Sequence, residues 1–189
     1  MNRLRIGNML YFSPKYRFIN LDFHDKKVLI DAFEDRVMSF YLQPAEELNK
    51  KGYGFAAGVI CMAAIDFLAR ITIGTKKVNQ EDFKNWLKTK VDGFNYDLAN
   101  KLYQDFRCGL VHEGRVKNCG QFSYETQHMI ADNTVMIVNP NLLLSGIRKA
   151  LRNYIREIRG NCRAFQVFKN ALLRDFQGDV AAARKMTKE

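Results

Sequence analysis

The sequence of 189 residues lacks the signatures that most often identify an enzyme from its sequence. It contains no phosphate-binding G-x-x-x-x-G-K-[ST] loop, no dinucleotide-binding G-x-G-x-x-G motif, no G-x-S-x-G nucleophile turn and no H-E-x-x-H zinc motif. These absences argue against P-loop nucleotide hydrolysis, nicotinamide chemistry, serine hydrolysis of the common kind and zinc proteolysis.

Cysteine and histidine are also scarce, with four and three residues respectively. No two cysteines form a C-x-x-C pair, so the spacing gives little support to a structural zinc site. Cys61 lies in an apolar run and is interpreted as a small core residue. We therefore expect reduced thiols in a cytoplasmic protein, with no metal and no cofactor.

Long apolar runs are rare as well. The longest, residues 55–73, is interrupted by Asp66 and Arg70, whereas a membrane span needs about 20 apolar residues. We interpret it as a buried core helix and expect no membrane partner. The N-terminal stretch lacks the apolar length and the small-residue cleavage site of a signal peptide, so no targeting segment is expected.

Positive charge, in contrast, is abundant. Thirty Lys and Arg face 20 Asp and Glu, for a net charge of +10, and residues 139–189 hold 11 basic against 4 acidic residues. Such an excess indicates the kind of partner rather than the fold. It favours polyanions, and nucleic acid first among them.

Hydrophobic periodicity predicts a mainly helical fold, a bundle of four to six helices with a small β-hairpin inserted around residues 120–138. The helices are expected at residues 25–41, 55–73, 80–90, 96 to at least 108, 140 onward and 162–176. Asn79 and Asn139 are the expected N-caps of two of them. The domain organisation is expected to be an irregular segment 1–24, one helical domain 25–176 and a basic tail 177–189.

Residues 103–117, YQDFRCGLVHEGRVK, hold the pattern that best indicates chemistry. Arg107 and His112 are separated by four residues. Metal-free cleavage of RNA needs a fixed cation on the phosphate and a group that moves protons near neutral pH, and these two side chains supply both. The 2′-hydroxyl of the RNA can serve as nucleophile. In a regular α-helix the two side chains would stand about 140° apart, so a break at Gly109 or a facing subunit is expected to complete the site.

On this motif and its place late in a helical bundle, the chain resembles the HEPN superfamily. The resemblance covers about residues 25–158 and includes the apolar second helix with its internal Asp66. It implies a homodimer in which Arg107 and His112 cleave RNA and leave a 2′,3′-cyclic phosphate. It also implies roles such as toxin or antiphage effector, with a nucleotidyltransferase-type antitoxin as a further partner.

Two other residues are candidates for supporting the pair. Asp66 is the only acid in the apolar helix, and a buried carboxylate needs a partner. It is expected either to hold Arg107 or to pair with Arg70, four residues on. Tyr103 lies one turn before Arg107 and either stacks a base or belongs to the core.

A row of arginines is a candidate RNA-binding surface. If the last long helix continues past Gly160, these residues share one stripe: Arg148, Arg152, Arg156, Arg159 and Arg163. The alternative is an ordinary solvated helix face.

The sequence therefore predicts a metal-independent endoribonuclease. The alternative is a non-catalytic HEPN module that binds RNA, a nucleotide or a partner protein. Cys108 favours this alternative, because the family usually has a polar residue such as Asn, Asp or His after the arginine.

Overall fold

The computed structural model describes residues 5–6, 9–132 and 135–186. The chain is mainly helical with a small antiparallel hairpin, which confirms the predicted fold class. It divides into two compact units, one formed by residues 1–40, 70–76 and 153–189 and the other by residues 41–69 and 77–152. The predicted divisions at residues 24 and 176 stay predictions.

The first unit begins with a small antiparallel sheet in the order β1-β2-β3. Its strands are β1 (Arg5–Ile6), β2 (Met9–Ser13) and β3 (Tyr16–Arg17). Helix α1 (Lys26–Val37) follows, and the Asp25 carboxylate caps it by accepting a hydrogen bond of 2.9 Å from the Val28 amide. The N-terminal segment predicted as irregular or with a short strand is therefore a sheet of very short strands.

Aromatic side chains build the core of the first unit. One cluster has ring centroids 5.1 to 6.2 Å apart and consists of Phe12, Phe18 and Phe176. A second has the same range of spacings and consists of Phe33, Tyr154 and Phe168. Both clusters join residues distant in sequence, so the burial of these rings holds the N- and C-terminal parts of the unit together.

The second unit holds the central helices of the sequence. These are α2 (Gln43–Lys50), most of α3 (Gly54–Ile73), α4 (Gln80–Lys90), α5 (Tyr96–Lys101) and the first part of α6 (Pro140–Gly160). Asn79 and Asp82 form a reciprocal capping box on α4, and the Asn139 side chain accepts from the Asn141 and Leu142 amides at the start of α6. Both predicted N-caps are confirmed.

The inserted strands differ in detail from the predicted hairpin. Strand β5 (Ile130–Asp132) pairs antiparallel with β6 (Met136–Val138), and this pair is the hairpin. The first expected strand is only β4 (Gln121–Phe122), and it pairs parallel with β6. The alternation of residues 122–126 indicated a longer strand, but residues 123–129 follow an irregular path. Asn133, expected in the connecting turn, lies outside the described residues.

Several helix boundaries also differ. A wide helical turn at Met38–Leu42 leads from α1 into α2. Pro44 occupies the first turn of α2, where no amide donor is needed, so it does not end a helix. Helix α6 ends at Gly160, and a separate helix, α7, spans Cys162–Met186. The segment predicted for residues 162–176 thus extends ten residues further, into the stretch predicted as tail.

Helix α3 is long and apolar enough, by length and composition, to cross a membrane, despite Asp66 and Arg70. Its most apolar stretch is 56% buried inside the protein. Fully covered side chains such as Cys61, Met62, Ile65 and Leu68 account for this burial. The burial is compatible with the predicted core helix. Burial also raises the pKa of the Cys61 thiol to about 12.

Candidate functional site

A widened helix brings Arg107 and His112 together in the second unit. After α5 the backbone forms two π-helical segments, Leu102–Arg107 and Gly109–Glu113, in which the Cys108 amide donates to the carbonyl of Tyr103 five residues earlier. Such i to i+5 bonding places residues five apart beside each other, whereas an α-helix would separate them by about 140°. The break at Gly109 is therefore absent, and the other alternative, a facing subunit that completes the site, stays a prediction.

The two side chains are in direct contact. Arg107 Nη1 lies 3.0 Å from His112 Nε2. A guanidinium has five N–H donors and no acceptor, so in this contact Nη1 donates and Nε2 accepts. The imidazole is exposed, and the Arg107 side chain is about one-fifth exposed.

Asp66 fixes the guanidinium from the other side. Arg107 Nε donates to Asp66 Oδ2 over 3.0 Å, which joins the wide segment to α3. Burial by itself would lower the pKa of Arg107, but the charge of Asp66 and the hydrogen bond to it outweigh this effect and raise it. Arg70, the other candidate partner of Asp66, lies 3.3 Å from Asp175. The structure thus contains the Asp66–Arg107 pair that the sequence left open.

Tyr103 packs as a core residue and also contacts Arg107, and base stacking by its ring stays a prediction. Its ring packs edge-on against Phe83 at 5.2 Å, as a core residue would. The Arg107 guanidinium carbon also lies over this ring, 5.4 Å from its centroid, within the range of a cation–π contact. Burial raises the pKa of the Tyr103 hydroxyl, with a contribution from neighbouring Cys108. The Tyr103 ring therefore packs against the Arg107 guanidinium.

Two glycines shape the end of the wide helix. A Cβ on Gly109 would lie 2.3 Å from the Arg115 carbonyl oxygen, a distance that no side chain tolerates, so the returning chain passes directly over this residue. Gly114 ends the segment in the left-handed conformation with φ of 67°, and its amide donates to the Gly109 carbonyl. Glycine is therefore required at position 109 for its small size and at position 114 for its positive φ.

The loop after His112 is anchored by a buried acid that the sequence interpretation missed. Asp105 is 8% exposed, and its carboxylate accepts a 2.7 Å hydrogen bond from the Asn118 side chain. Its carbonyl also accepts from the Lys117 amide at 2.9 Å. In the sequence, the position of Asp105 beside the apolar stripe of Leu102 and Phe106 was the signal that could have indicated its burial. Its partner, 13 residues later, could not be inferred from spacing.

A groove opens beside this loop, and it was also missed. It encloses about 710 Å³ in the second unit. Its lining includes Gly114 and Arg115 from the loop, Gly54 and Phe55 from α3, and Tyr124. Neither Arg107 nor His112 lines it. The aromatic residues are far apart in sequence, so no local pattern indicated that they converge.

The arginine row is interrupted at Gly160. Because α6 ends there, Arg163 belongs to α7, whereas the other four arginines of the row lie on α6. Arg148 donates to Glu46 at 2.8 Å, and Arg159 donates to Asp31 and Glu34 at 3.2 and 3.3 Å. Arg152 and Arg156 are exposed. The five-residue stripe required a helix that continues past Gly160, and RNA binding by these arginines stays a prediction.

Within residues 5–6, 9–132 and 135–186, no three His, Cys, Asp or Glu side chains come close enough to hold a metal ion. The side chains gathered around Arg107 are a carboxylate, an imidazole, a phenol and a thiol. This set can bind an anion through the guanidinium and accept a proton at His112 Nε2.

Comparison with known proteins finds no family model that matches the chain, and no match among curated proteins or solved structures. The geometry of the site and the sequence resemblance are therefore the two grounds for a functional proposal.

Proposed function

We propose that the protein is a metal-independent endoribonuclease of the HEPN type, with Arg107 and His112 as its catalytic residues. The observation that carries the proposal is the 3.0 Å contact between Arg107 Nη1 and His112 Nε2 at an accessible surface. A guanidinium and an imidazole that touch can act on the same phosphodiester.

The chemistry follows from the roles of the two groups. When the phosphate binds, Arg107 Nη1 turns its N–H from His112 Nε2 to a phosphoryl oxygen, where it stabilises the growing negative charge. The freed lone pair of His112 Nε2 accepts the proton of a ribose 2′-hydroxyl, whose oxygen attacks the adjacent phosphorus. The bond to the 5′-oxygen breaks, that oxygen takes up a proton from water, and the other fragment keeps a 2′,3′-cyclic phosphate. Asp66 and Tyr103 hold the guanidinium in place for this step.

A labelled single-stranded RNA incubated in EDTA with wild-type protein, Arg107→Ala and His112→Ala tests the proposal. Cleavage by the wild type should fall by roughly 100-fold or more in either variant, since each removes a group acting in the transition state. His128→Ala is the matched control, because His128 is exposed and its hydrogen bonds with Thr126 involve its backbone alone. It should cleave like the wild type.

Product analysis sharpens the result. Mass spectrometry should find a 2′,3′-cyclic phosphate, and a substrate with 2′-deoxyribose throughout should stay intact. Cleavage that persists in His112→Ala, or that needs a divalent metal, would contradict the proposal. Tight RNA binding without cleavage would instead favour the non-catalytic module, for which Cys108 beside Arg107 is the motivating residue.

The homodimer and the nucleotidyltransferase-type antitoxin follow from the resemblance alone. They stay proposals, as do the role as toxin or antiphage effector and the cytoplasmic location. The oligomeric state is measured by light scattering of the purified protein, and a monomer that cleaves RNA at full rate would remove the need for a second subunit.

A further inference from the structure

The groove beside the catalytic loop has exposed aromatic rings on its walls. Phe55 is 50% exposed and Tyr124 36%, and Phe122 also lines the groove. Tyr53, 58% exposed, directly precedes the lining residue Gly54. Single exposed apolar side chains are ordinary, but several rings around one concave surface indicate a binding site.

The walls of the groove are held rigidly. A Cβ on Gly58 would lie 2.1 Å from the Phe122 ring, so this ring rests directly on the backbone of α3. Phe122 also packs edge-on against Phe106 at 5.0 Å. The Tyr124 hydroxyl donates to Asn49 Oδ1 over 3.0 Å. Phe122 and Tyr124 are thus held by contacts within the protein before any ligand arrives, which lowers the entropic cost of binding.

The chemistry of the lining selects the ligand. Arg115 contributes an exposed guanidinium, and Lys51 precedes the lining residue Gly52. Arg115 pairs with Glu113 at 2.8 Å, but an exposed pair of this kind is worth only about 0–1 kcal/mol, so replacing it by a phosphate contact costs little. Gln121 adds a hydrogen-bonding side chain, and the Glu125 carboxylate can accept from a base N–H but repels phosphate. Flat aromatic faces beside a guanidinium and polar groups fit unpaired nucleobases with their phosphates better than an apolar peptide.

The groove is close to the proposed catalytic pair along the chain. Gly114 and Arg115 line it, and Gly114 follows His112 by two residues. Two residues of chain span at most about 7 Å. A strand whose phosphate contacts Arg107 and His112 can therefore place a neighbouring base near the groove.

We infer that this groove is a subsite for unpaired bases of single-stranded RNA, with Phe55 and Tyr124 as stacking platforms and Arg115 as a phosphate contact. The inference rests on the proposed function for its substrate class. It adds a second binding element outside the catalytic pair and a preference for single strands over duplexes.

Binding can be measured without cleavage by using fluorescein-labelled 2′-O-methyl RNA, which lacks the nucleophilic hydroxyl. We expect Phe55→Leu and Tyr124→Leu to weaken binding of the single strand by roughly fivefold or more, because a base–aromatic stack is lost. Phe55→Tyr keeps the ring and should bind more tightly than Phe55→Leu. Tyr96→Leu removes an exposed aromatic residue that does not line the groove, and it should bind like the wild type.

Two further probes separate base recognition from charge. A duplex of the same RNA and an abasic ribose-phosphate chain of equal length should both bind more weakly than the single strand. Equal binding of all three, or equal binding by wild type and both leucine variants, would overturn the groove proposal. Thermal melting of each variant identifies any loss of binding that is due to unfolding, and Phe55→Tyr then decides the result.

A parallel cleavage assay with unmodified RNA keeps the two proposals distinguishable. Ring-dependent binding without cleavage supports the groove and rejects the nuclease. Cleavage with unchanged binding in the leucine variants supports the nuclease and rejects the groove. No binding of RNA by the wild-type protein rejects both.

Discussion

The segment around Arg107 and the arginine row of α6 are both patterns of basic residues at regular spacing. The helix geometry differs between the two regions, because the first is π-helical and the second is a regular α-helix. Arg107 and His112, which a regular helix would separate, are in contact at 3.0 Å. Arg148 and Arg159 lie on the regular helix α6, and both also pair with acids from other helices. Spacing alone revealed neither the Arg107–His112 contact nor these ion pairs.

The difference lies in the backbone and in the partners. Around Arg107 the helix widens to i to i+5 bonding, so the angular rule that the sequence interpretation used does not apply. In α6 the angular rule applies, but the acids Glu46, Asp31 and Glu34 occupy two of the arginines and Gly160 ends the helix. A functional pattern is informative only together with the local helix geometry and the neighbouring charges.

Substituting Gly109 with Ala should have the largest effect, because it disturbs the wide helix that brings Arg107 and His112 together. The added Cβ would collide with the Arg115 carbonyl oxygen at 2.3 Å, so the returning chain must move. We expect a loss of stability of about 1–3 kcal/mol by thermal or urea unfolding, the range typical of overpacking. Cleavage of RNA should fall by roughly 100-fold, because a shift of about 1 Å misplaces His112 against Arg107.

Gly178→Ala serves as the matched control, since a Cβ added to Gly178 would meet nothing within 4 Å and the residue sits inside α7. An alanine there should stabilise the protein by about 0.5–1 kcal/mol and leave cleavage unchanged. If Gly109→Ala retained wild-type cleavage and stability, the wide helical geometry would not be what positions the pair.

Removing the support of the guanidinium tests the same contact from α3. Asp66→Asn keeps the size of the side chain but loses its charge, so Arg107 should become less well oriented. We expect about a tenfold fall in kcat with KM nearly unchanged, because Asp66 acts through Arg107 and does not itself touch RNA. Steady-state kinetics on a defined RNA checks this.

Asp175→Asn removes a carboxylate from the Arg70 ion pair and is the control for loss of an acid. It should lower the melting temperature without changing kcat. A fall of kcat in both variants would mean that the effect of Asp66→Asn is general destabilisation rather than positioning of Arg107.

Much of the fold was predictable because it depends on local signals. The bounds of α4, the caps Asn79 and Asn139 and the core character of α3 follow from periodicity and from side chains that bond to amides two or three residues away. The resemblance named Arg107 and His112, and the cost of burying an unpaired charge indicated that Asp66 needs a partner.

The remainder depends on contacts between distant residues or on backbone states that composition does not reveal. The convergence of Phe55 with Tyr124, and the bond between Asp105 and Asn118, join segments that no period connects. The second π-helical segment also contacts the returning chain at Gly109, a contact that no local sequence pattern reveals. The pairing of Asp66 with Arg107, 41 residues later, was likewise decided by the fold.

Substitutions in the arginine row should have the smallest effects on RNA binding, and they test which of its arginines are available to RNA. Arg152 is exposed, so Arg152→Ala should weaken RNA binding about two- to fivefold at low salt and reduce the salt dependence by about one counterion. Arg148 is paired with Glu46, so Arg148→Ala should affect stability by no more than about 1 kcal/mol and binding less than Arg152→Ala does.

The pH dependence of stability separates the two arginines further. The hydrogen bond and charge of Arg148 lower the pKa of Glu46, so this pair contributes stability above the unfolded carboxyl pKa of about 4.3 and loses it as the pH falls through the lower folded value. Wild type should therefore be more stable than Arg148→Ala at neutral pH, and the difference should shrink below about pH 4. Arg152→Ala should show no such pH-dependent difference in denaturant titrations. If Arg148→Ala instead weakened RNA binding as much as Arg152→Ala at neutral pH, the ion pair with Glu46 would not remove Arg148 from the binding surface, and the row would be a phosphate track after all.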